Sequence, residues 1–162
     1  MGNVADSFKY QTNWTIRKFA DDAAFARGEA FEVVPVPGNM LLNEGINALL
    51  TIAVGGVETA FNNANSRLGV GDSAAAEAAS QTDLQAATNK TYKAMAPTYP
   101  QVSGQSVTFR ASFGGSEANH AWQEFCVDNG AVAGKTLNRK VSNQGTKILG
   151  QTWTLDVTIT LS

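Results

Sequence analysis

The segment from Thr152 to Leu161 limits the possible folds of this chain more than any other segment, because apolar and polar side chains alternate along it without interruption. Its apolar members are Trp153, Leu155, Val157, Ile159 and Leu161, and its polar members are Thr154, Asp156, Thr158 and Thr160. Successive side chains of a β-strand point to opposite faces of the sheet, so this period of two predicts a strand. One of its faces is expected to pack on a core, and the other to meet solvent or a partner.

Further segments have the composition of short strands and are separated by stretches rich in Gly, Asn and Ser. They span residues 67–71, 90–95, 106–113, 121–127 and 136–141. Short strands with Gly-rich turns and without alternating helices are typical of antiparallel sheets, not of parallel α/β folds. The sequence therefore predicts a mainly β protein with an antiparallel, jelly-roll-like β-sandwich. Residues 74–87 are interpreted as a loop that could hold a short helix.

One short α-helix is expected at about residues 43–54. Its apolar residues recur at helical spacing. They are Ile46, Leu49, Leu50 and Ala53. Asn43 is suited to cap the first turn, and Gly55 with Gly56 is suited to end the helix.

Residues 1–38 are expected to form an extended N-terminal arm with edge strands, and residues 39–162 the sandwich domain. Pro35 and Pro37 each lack a backbone N–H, which keeps this part of the chain off a central strand. Aromatic residues between positions 8 and 19 leave two alternatives. They belong either to a strand that closes the sandwich or to an arm that packs on a neighbouring subunit, where aromatic side chains are enriched.

Composition argues against several kinds of site. Twelve Lys and Arg against fourteen Asp and Glu give a net charge of -2, which provides no basic field for a phosphate backbone. One cysteine and one histidine cannot supply an intrachain disulfide or four zinc ligands. The longest apolar run, 46–57, is shorter than the roughly 20 residues of a membrane span, and the N-terminus lacks a signal-peptide pattern. We therefore expect a soluble protein made in a cytoplasm, without a cofactor.

The sequence motifs that could indicate catalysis are not accompanied by the neighbouring structure that their chemistry requires. Gly69 and Gly71 begin a G-x-G-x-x-A pattern, but a polar stretch precedes it where a dinucleotide-binding turn needs a buried strand, so these glycines are assigned to a strand end or bulge. His120 and Cys126 are six residues apart. In a strand that spacing is about 20 Å, too far for a catalytic dyad. No enzymatic activity is expected, although a pair of carboxylates from distant strands stays open as a minor alternative.

Seven segments from residue 42 onward carry a family resemblance through their sequences and their order. Examples are Leu42-Asn-Glu-Gly-Ile-Asn-Ala-Leu-Leu50 and Glu117-Ala-Asn-His-Ala-Trp-Gln-Glu-Phe125. The full set is 42–50, 61–73, 81–84, 99–113, 117–125, 137–139 and 153–161. In these segments the chain resembles a family of small bacteriophage virion proteins, which are encoded among phage head and tail genes. The resemblance covers most of the chain.

The resemblance implies a capsid decoration or cement protein on the virion surface, which stabilises the head by bridging major capsid proteins. The implied partners are the major capsid protein and copies of the chain itself, with a trimer as one arrangement, and no nucleic acid, membrane or small-molecule substrate. An alternative is a tail component, such as a tail-tip, fibre-base or tube-associated protein that binds a host surface. A third is a lectin-like module or an enzyme at the tail, which an exposed Trp14 or Trp122 beside polar groups would support.

Candidate interface residues lie in the N-terminal segment. They are Trp14, Arg17, Lys18, Phe19, Arg27 and Phe31. The three cationic residues are expected to face an acidic capsid surface, and Trp14 and Phe19 to anchor the contact.

Overall fold

The computed structural model describes residues 9–162. Its strands form two five-stranded antiparallel sheets. The strands are β1 (Tyr10–Phe19), β2 (Glu32–Pro37), β3 (Met40–Leu41), β4 (Arg67–Gly71), β5 (Lys90–Ala94), β6 (Gln101–Ser103), β7 (Ser106–Phe113), β8 (Glu124–Asp128), β9 (Thr136–Val141) and β10 (Thr152–Leu161). The first sheet has the order β2-β1-β10-β7-β6, and the second has the order β3-β9-β8-β4-β5. The mainly β class and the antiparallel β-sandwich are thus confirmed.

Most predicted strands are present with the expected bounds. β4, β7, β9 and β10 coincide with the predicted segments, and β5 ends one residue early. The predicted strand 121–127 is paired with its neighbouring strands only from Glu124 onward, as β8. Before Glu124 the backbone has other partners: Ala121 makes an isolated bridge to Thr146, and the Trp122 amide donates a hydrogen bond to the Gly145 carbonyl. Residues 72–89 form no helix and are a long loop.

Residues 10–37 belong to the sandwich. β1 pairs with β10 along its full length, from Tyr10 opposite Leu161 to Phe19 opposite Thr152. On its other side β1 pairs with β2, which is the edge strand that its two prolines predicted. The aromatic segment is therefore a strand that closes its own sandwich. The expected arm at 1–38 is corrected for residues 10–37, because β1 pairs with β10 and the side chains of Trp14, Ile16 and Val36 are buried between the sheets; residues 1–8 lie outside the described residues.

An aromatic cluster fills the space between the sheets. The Trp122 ring is fully buried, and its centroid lies 4.9 Å from that of Phe113 and 5.0 Å from that of Trp153, both in edge-to-face geometry. Its indole nitrogen donates a hydrogen bond to the Ala118 carbonyl. Such ring pairs add about 0.5–1.5 kcal/mol each beyond the burial of their area. Because of this packing, the sandwich is a rigid support for the residues on its surface.

The expected helix is present as α2 (Asn43–Ala53). Its N-cap is Leu42, one residue before the predicted Asn43, and no side chain caps the first turn. The helix ends before Gly55, whose φ of +74° is a left-handed conformation that glycine adopts readily.

A second helix, α1 (Asp22–Arg27), was not predicted. The Asp21 carboxylate caps it by accepting a hydrogen bond from the Ala24 amide at 2.7 Å, and Gly28 ends it with a φ of +72°. A helix of six residues is too short to show a periodic apolar pattern, so its caps are its only sequence signal.

The loop of residues 72–89, here called the covering loop, lies over the outer face of the second sheet. Glu124 and Arg139 form an ion pair beneath it at 2.7 Å, and both side chains have no exposed surface. The Glu124 carboxylate also accepts hydrogen bonds from the amides of Gln85 and Ala86 at 2.8 Å and 2.7 Å. Arg139 in turn donates to the carbonyl of Ala75 at 2.9 Å. The pair therefore fixes both halves of the loop to the sheet.

Tyr92 covers the adjoining part of the same face. Its hydroxyl donates a hydrogen bond to Asp83 of the covering loop. A Cβ atom at Gly69 would come within 2.6 Å of the Tyr92 ring, so only glycine leaves room for the ring. The two glycines of the G-x-G pattern thus lie within β4 and at its end, where they serve packing against Tyr92 and Glu124.

Replacing Glu124 by Gln would leave the Arg139 guanidinium buried without its countercharge. Removing one partner of a buried ion pair costs about 3–5 kcal/mol, so we expect Glu124→Gln to lower the free energy of unfolding by about that amount. Urea denaturation followed by tryptophan fluorescence measures the change. Glu29→Gln is the matched control, because Glu29 pairs with Arg27 on the surface and such pairs contribute about 0–1 kcal/mol. Equal stability of the two variants would contradict the structural role of the buried pair.

Candidate interaction surface

Helix α2 contacts β9 through its smallest residues. Gly45 and Ala48 are its buried residues, and a Cβ atom at Gly45 would lie 2.4 Å from the Cα atom of Leu137. The Glu44 carboxylate accepts a hydrogen bond from the amide of Thr136 at 2.6 Å. The glycine therefore lets the helix backbone approach the strand closely, and the carboxylate fixes it there.

An apolar face of α2 points away from the sandwich as a result. We call this face the α2 stripe; it consists of Ile46, Leu49, Leu50 and Ala53 of the helix and of the C-cap residue Val54. Leu50 is 61% exposed and Val54 is 84% exposed. Apolar residues at helical spacing normally form the face that packs on the core. Here the same spacing forms an outward face, because the contact with β9 is made on the other side of the helix.

The α2 stripe contains no charged residue, and Glu44, the one charged residue of the helix, is bonded to β9. Contiguous exposed apolar patches are uncommon on monomeric proteins and mark sites of association. Burying one exposed Val or Leu side chain on association contributes about 1.5–3 kcal/mol to the free energy of binding. The stripe thus has the character of a protein–protein contact surface.

Three of the six predicted interface residues are internal. Trp14 is fully buried in the core, and Phe19 is buried beside Phe25 with a ring-centroid distance of 5.2 Å. Lys18 is also buried: its ammonium donates to the Gln144 carbonyl at 2.8 Å and lies over the Trp153 ring. These three residues support the fold of this chain, because their side chains are buried within it and are not available at its surface.

The other three predicted residues lie at the surface but not together. Arg27 pairs with Glu29 at 2.8 Å, and Phe31 is 57% exposed just before β2. Arg17 pairs with Asp156 at 2.7 Å on the outer face of the first sheet. The contact of Arg17 and Arg27 with an acidic capsid surface stays a prediction, as does a role of Phe31 in an interface.

The two residues considered for nucleophilic chemistry are engaged elsewhere. Burial raises the pKa of the Cys126 thiol well above its ordinary value. The His120 ring contacts the Thr91 hydroxyl and the Ala121 carbonyl, and neither ring nitrogen bonds Cys126. Among residues 9–162 no group of three His, Cys, Asp or Glu side chains could hold a metal ion. No helix in that range is long and apolar enough to span a membrane.

The tryptophans bear on the carbohydrate-binding alternative. Sugar sites stack rings on exposed aromatic side chains, but Trp14 and Trp122 have no exposed surface and Trp153 is 2% exposed. The observation that would have supported a lectin-like module is therefore missing at these three positions.

A groove of about 630 Å³ lies over the outer face of the first sheet. Arg17, Arg110 and Thr154 are on its floor, with Phe25 and the segment 95–99 beside them. No pattern in the sequence predicts this groove. Strand alternation places Arg110 and Asp156 on the polar faces of their strands, but only the register of β7 against β10 brings the two residues opposite each other.

No family model matches the chain, and neither a curated protein nor a solved structure matches it.

Gly45→Ala tests how α2 sits on β9. Alanine favours a helix over glycine by about 1 kcal/mol, but here its methyl group would overlap the backbone of Leu137, and such overpacking costs about 1–3 kcal/mol. We expect a net loss of unfolding free energy, measured by urea denaturation. Asn47→Ala is the control at an exposed position of the same helix and is expected to raise stability by a few tenths of a kcal/mol. A stabilised Gly45→Ala protein would contradict the close helix–strand contact and the outward α2 stripe.

Proposed function

We propose that this protein is a bacteriophage capsid decoration protein, which binds the assembled head and stabilises it by bridging major capsid proteins. The observation that carries the proposal is the α2 stripe, an apolar, uncharged helix face held outward on a rigid sandwich. The family resemblance in segments 42–50 and 61–73 supports it as well, since Ile46, Leu49 and Leu50 of the stripe lie in the first of these segments.

The energetics of an apolar stripe suit a protein that adds contacts to a finished shell. Such a surface is exposed to water, at a cost, while the protein is free as a monomer, and docking removes that cost by burying several Val, Leu and Ile side chains. A capsid presents the same docking position many times, and copies that also contact each other gain from multivalent attachment. With a net charge of -2, association of this kind depends on buried apolar area more than on charge attraction.

Copy number in the virion tests the proposal directly. Quantitative mass spectrometry of purified virions gives the ratio of this protein to the major capsid protein. A decoration protein is expected at a ratio of one or a simple fraction of one, because it follows the symmetry of the capsid. A ratio of about one hundredth would contradict the proposal and favour the tail alternative, and absence from the particle would contradict both.

Leu50→Asp tests the α2 stripe itself. A carboxylate in the middle of the stripe would have to be desolvated on docking, so we expect at least a tenfold loss of incorporation into particles, measured by immunoblot of purified virions. The melting temperature of the free protein should stay close to that of the wild type, since Leu50 is largely exposed. Leu149→Asp places the same change at a residue that is 78% exposed outside the helix and should incorporate normally. Normal incorporation of Leu50→Asp would contradict the role of the stripe.

A further inference from the structure

The groove on the first sheet combines a cationic floor with apolar sides. Arg17 on β1 and Arg110 on β7 lie on either side of Asp156 on the central strand β10. Phe25 of α1 forms part of one side, and Met95 with other residues of the segment 95–99 forms part of another. A volume of about 630 Å³ is within the range of sites that hold a peptide segment or a small molecule.

Both guanidinium groups share a single carboxylate. Arg110 donates to Asp156 from Nε at 2.8 Å and from Nη2 at 2.5 Å, and Arg17 donates to the same side chain from Nη1 at 2.7 Å. Among residues 9–162, Nε and Nη2 of Arg17 and Nη1 of Arg110 have no acceptor. The floor thus has an excess of one positive charge and several unused N–H donors.

Other groups near the groove do not cancel this excess. Lys93 is the remaining cationic residue of the lining, and it pairs with Glu117. The Arg110 guanidinium also lies over the Tyr99 ring, with Cζ 4.7 Å from the ring centroid, which fixes its plane at the edge of the groove. Hydrogen bonding to Asp156 raises the pKa of Arg110 further, so the guanidinium stays charged.

Thr154 supplies a second, independent sign of an unfilled polar position. It lies opposite Arg17 in the ladder and lines the groove, and only 4% of it is exposed. Its hydroxyl has no hydrogen-bond partner among the described residues. Buried hydroxyl groups almost always have a partner, so a bound polar group or a water molecule is expected beside this one.

We propose that this groove binds a carboxylate, presented by an acidic side chain in an extended, partly apolar segment of a partner protein. A carboxylate accepts two parallel N–H bonds from a guanidinium, which matches the unused donors of Arg17. The apolar sides formed by Phe25 and Met95 suit aliphatic or aromatic neighbours of that acidic residue. The site is separate from the α2 stripe, and its test does not depend on the place of the protein in a particle.

Two blocked tripeptides test the proposal on the full chain by NMR. The probe is acetyl-Leu-Glu-Phe-amide, and its matched control is acetyl-Leu-Gln-Phe-amide, which lacks the charge. The Glu peptide is expected to shift the Nε–Hε signals of Arg17 and Arg110 and the amide signal of Thr154 to saturation. The affinity of the Gln peptide is expected to be lower by a factor of about ten or more, since hydrogen bonds to charged groups contribute about 1.5–3 kcal/mol.

Substitutions identify the groove as the place of binding. Arg17→Gln is expected to weaken the Glu peptide about tenfold, while Arg110 keeps its two bonds to Asp156 and preserves the fold. Arg17→Lys, which keeps the charge but loses the fork of donors, should give an intermediate loss. Lys140→Gln removes a positive charge from β9 on the other sheet and should leave binding unchanged.

Four results would overturn the proposal. One is the absence of saturable shifts with either peptide. Another is equal affinity for the Glu and Gln peptides, which would mean that the groove recognises only apolar groups. A third is full affinity in Arg17→Gln, which would place binding elsewhere. The last is tighter binding of oligogalacturonate than of the Glu peptide, which would assign the groove to an acidic polysaccharide.

Discussion

The buried ion pair between Glu124 and Arg139 is the interaction on which the second sheet depends. Two charges removed from water are costly, and this pair offsets the cost with a bond to each other and with bonds to the backbone of the covering loop. The loop itself has no helix or strand, so some of its buried backbone groups need other partners, and the ion pair supplies partners for Ala75, Gln85 and Ala86. Held by the pair, the loop covers the outer face of the second sheet beside Tyr92, and the inner strands β4 and β8 are buried on both faces.

This closure determines where the protein can make external contacts. The second sheet is covered by the loop, and α2 lies against β9 with Gly45 in contact and its apolar side chains outward. The outer face of the first sheet is polar, with cross-strand pairs such as Thr108 with Thr158 at 2.8 Å. Near α1 that face deepens into a groove. The α2 stripe and the groove are therefore two distinct surfaces, one suited to apolar area and the other to a charged group.

Much of the fold could be predicted from the sequence, because strands with one buried face repeat every two residues. The alternation from Trp153 to Leu161 fixed both the strand and its buried face, and the bounds of β4, β7 and β9 followed from Gly, Asn and Ser at their ends. The face of α2 could not be predicted, since its contact depends on the absence of a side chain at Gly45. The groove could not be predicted, because it depends on the strand register, which brings together residues far apart in sequence and is not determined by any local sequence pattern.

We propose that the outward α2 stripe is the contact through which this protein decorates the capsid. A cryo-electron microscopy reconstruction of purified virions tests this proposal most directly, because a sandwich of this size can be placed and oriented in the density. We expect the sandwich on the outer surface of the head, with Leu50 and Val54 buried against the major capsid protein or a second copy. A capsid surface without this density, or a sandwich docked with the α2 stripe facing solvent, would contradict it.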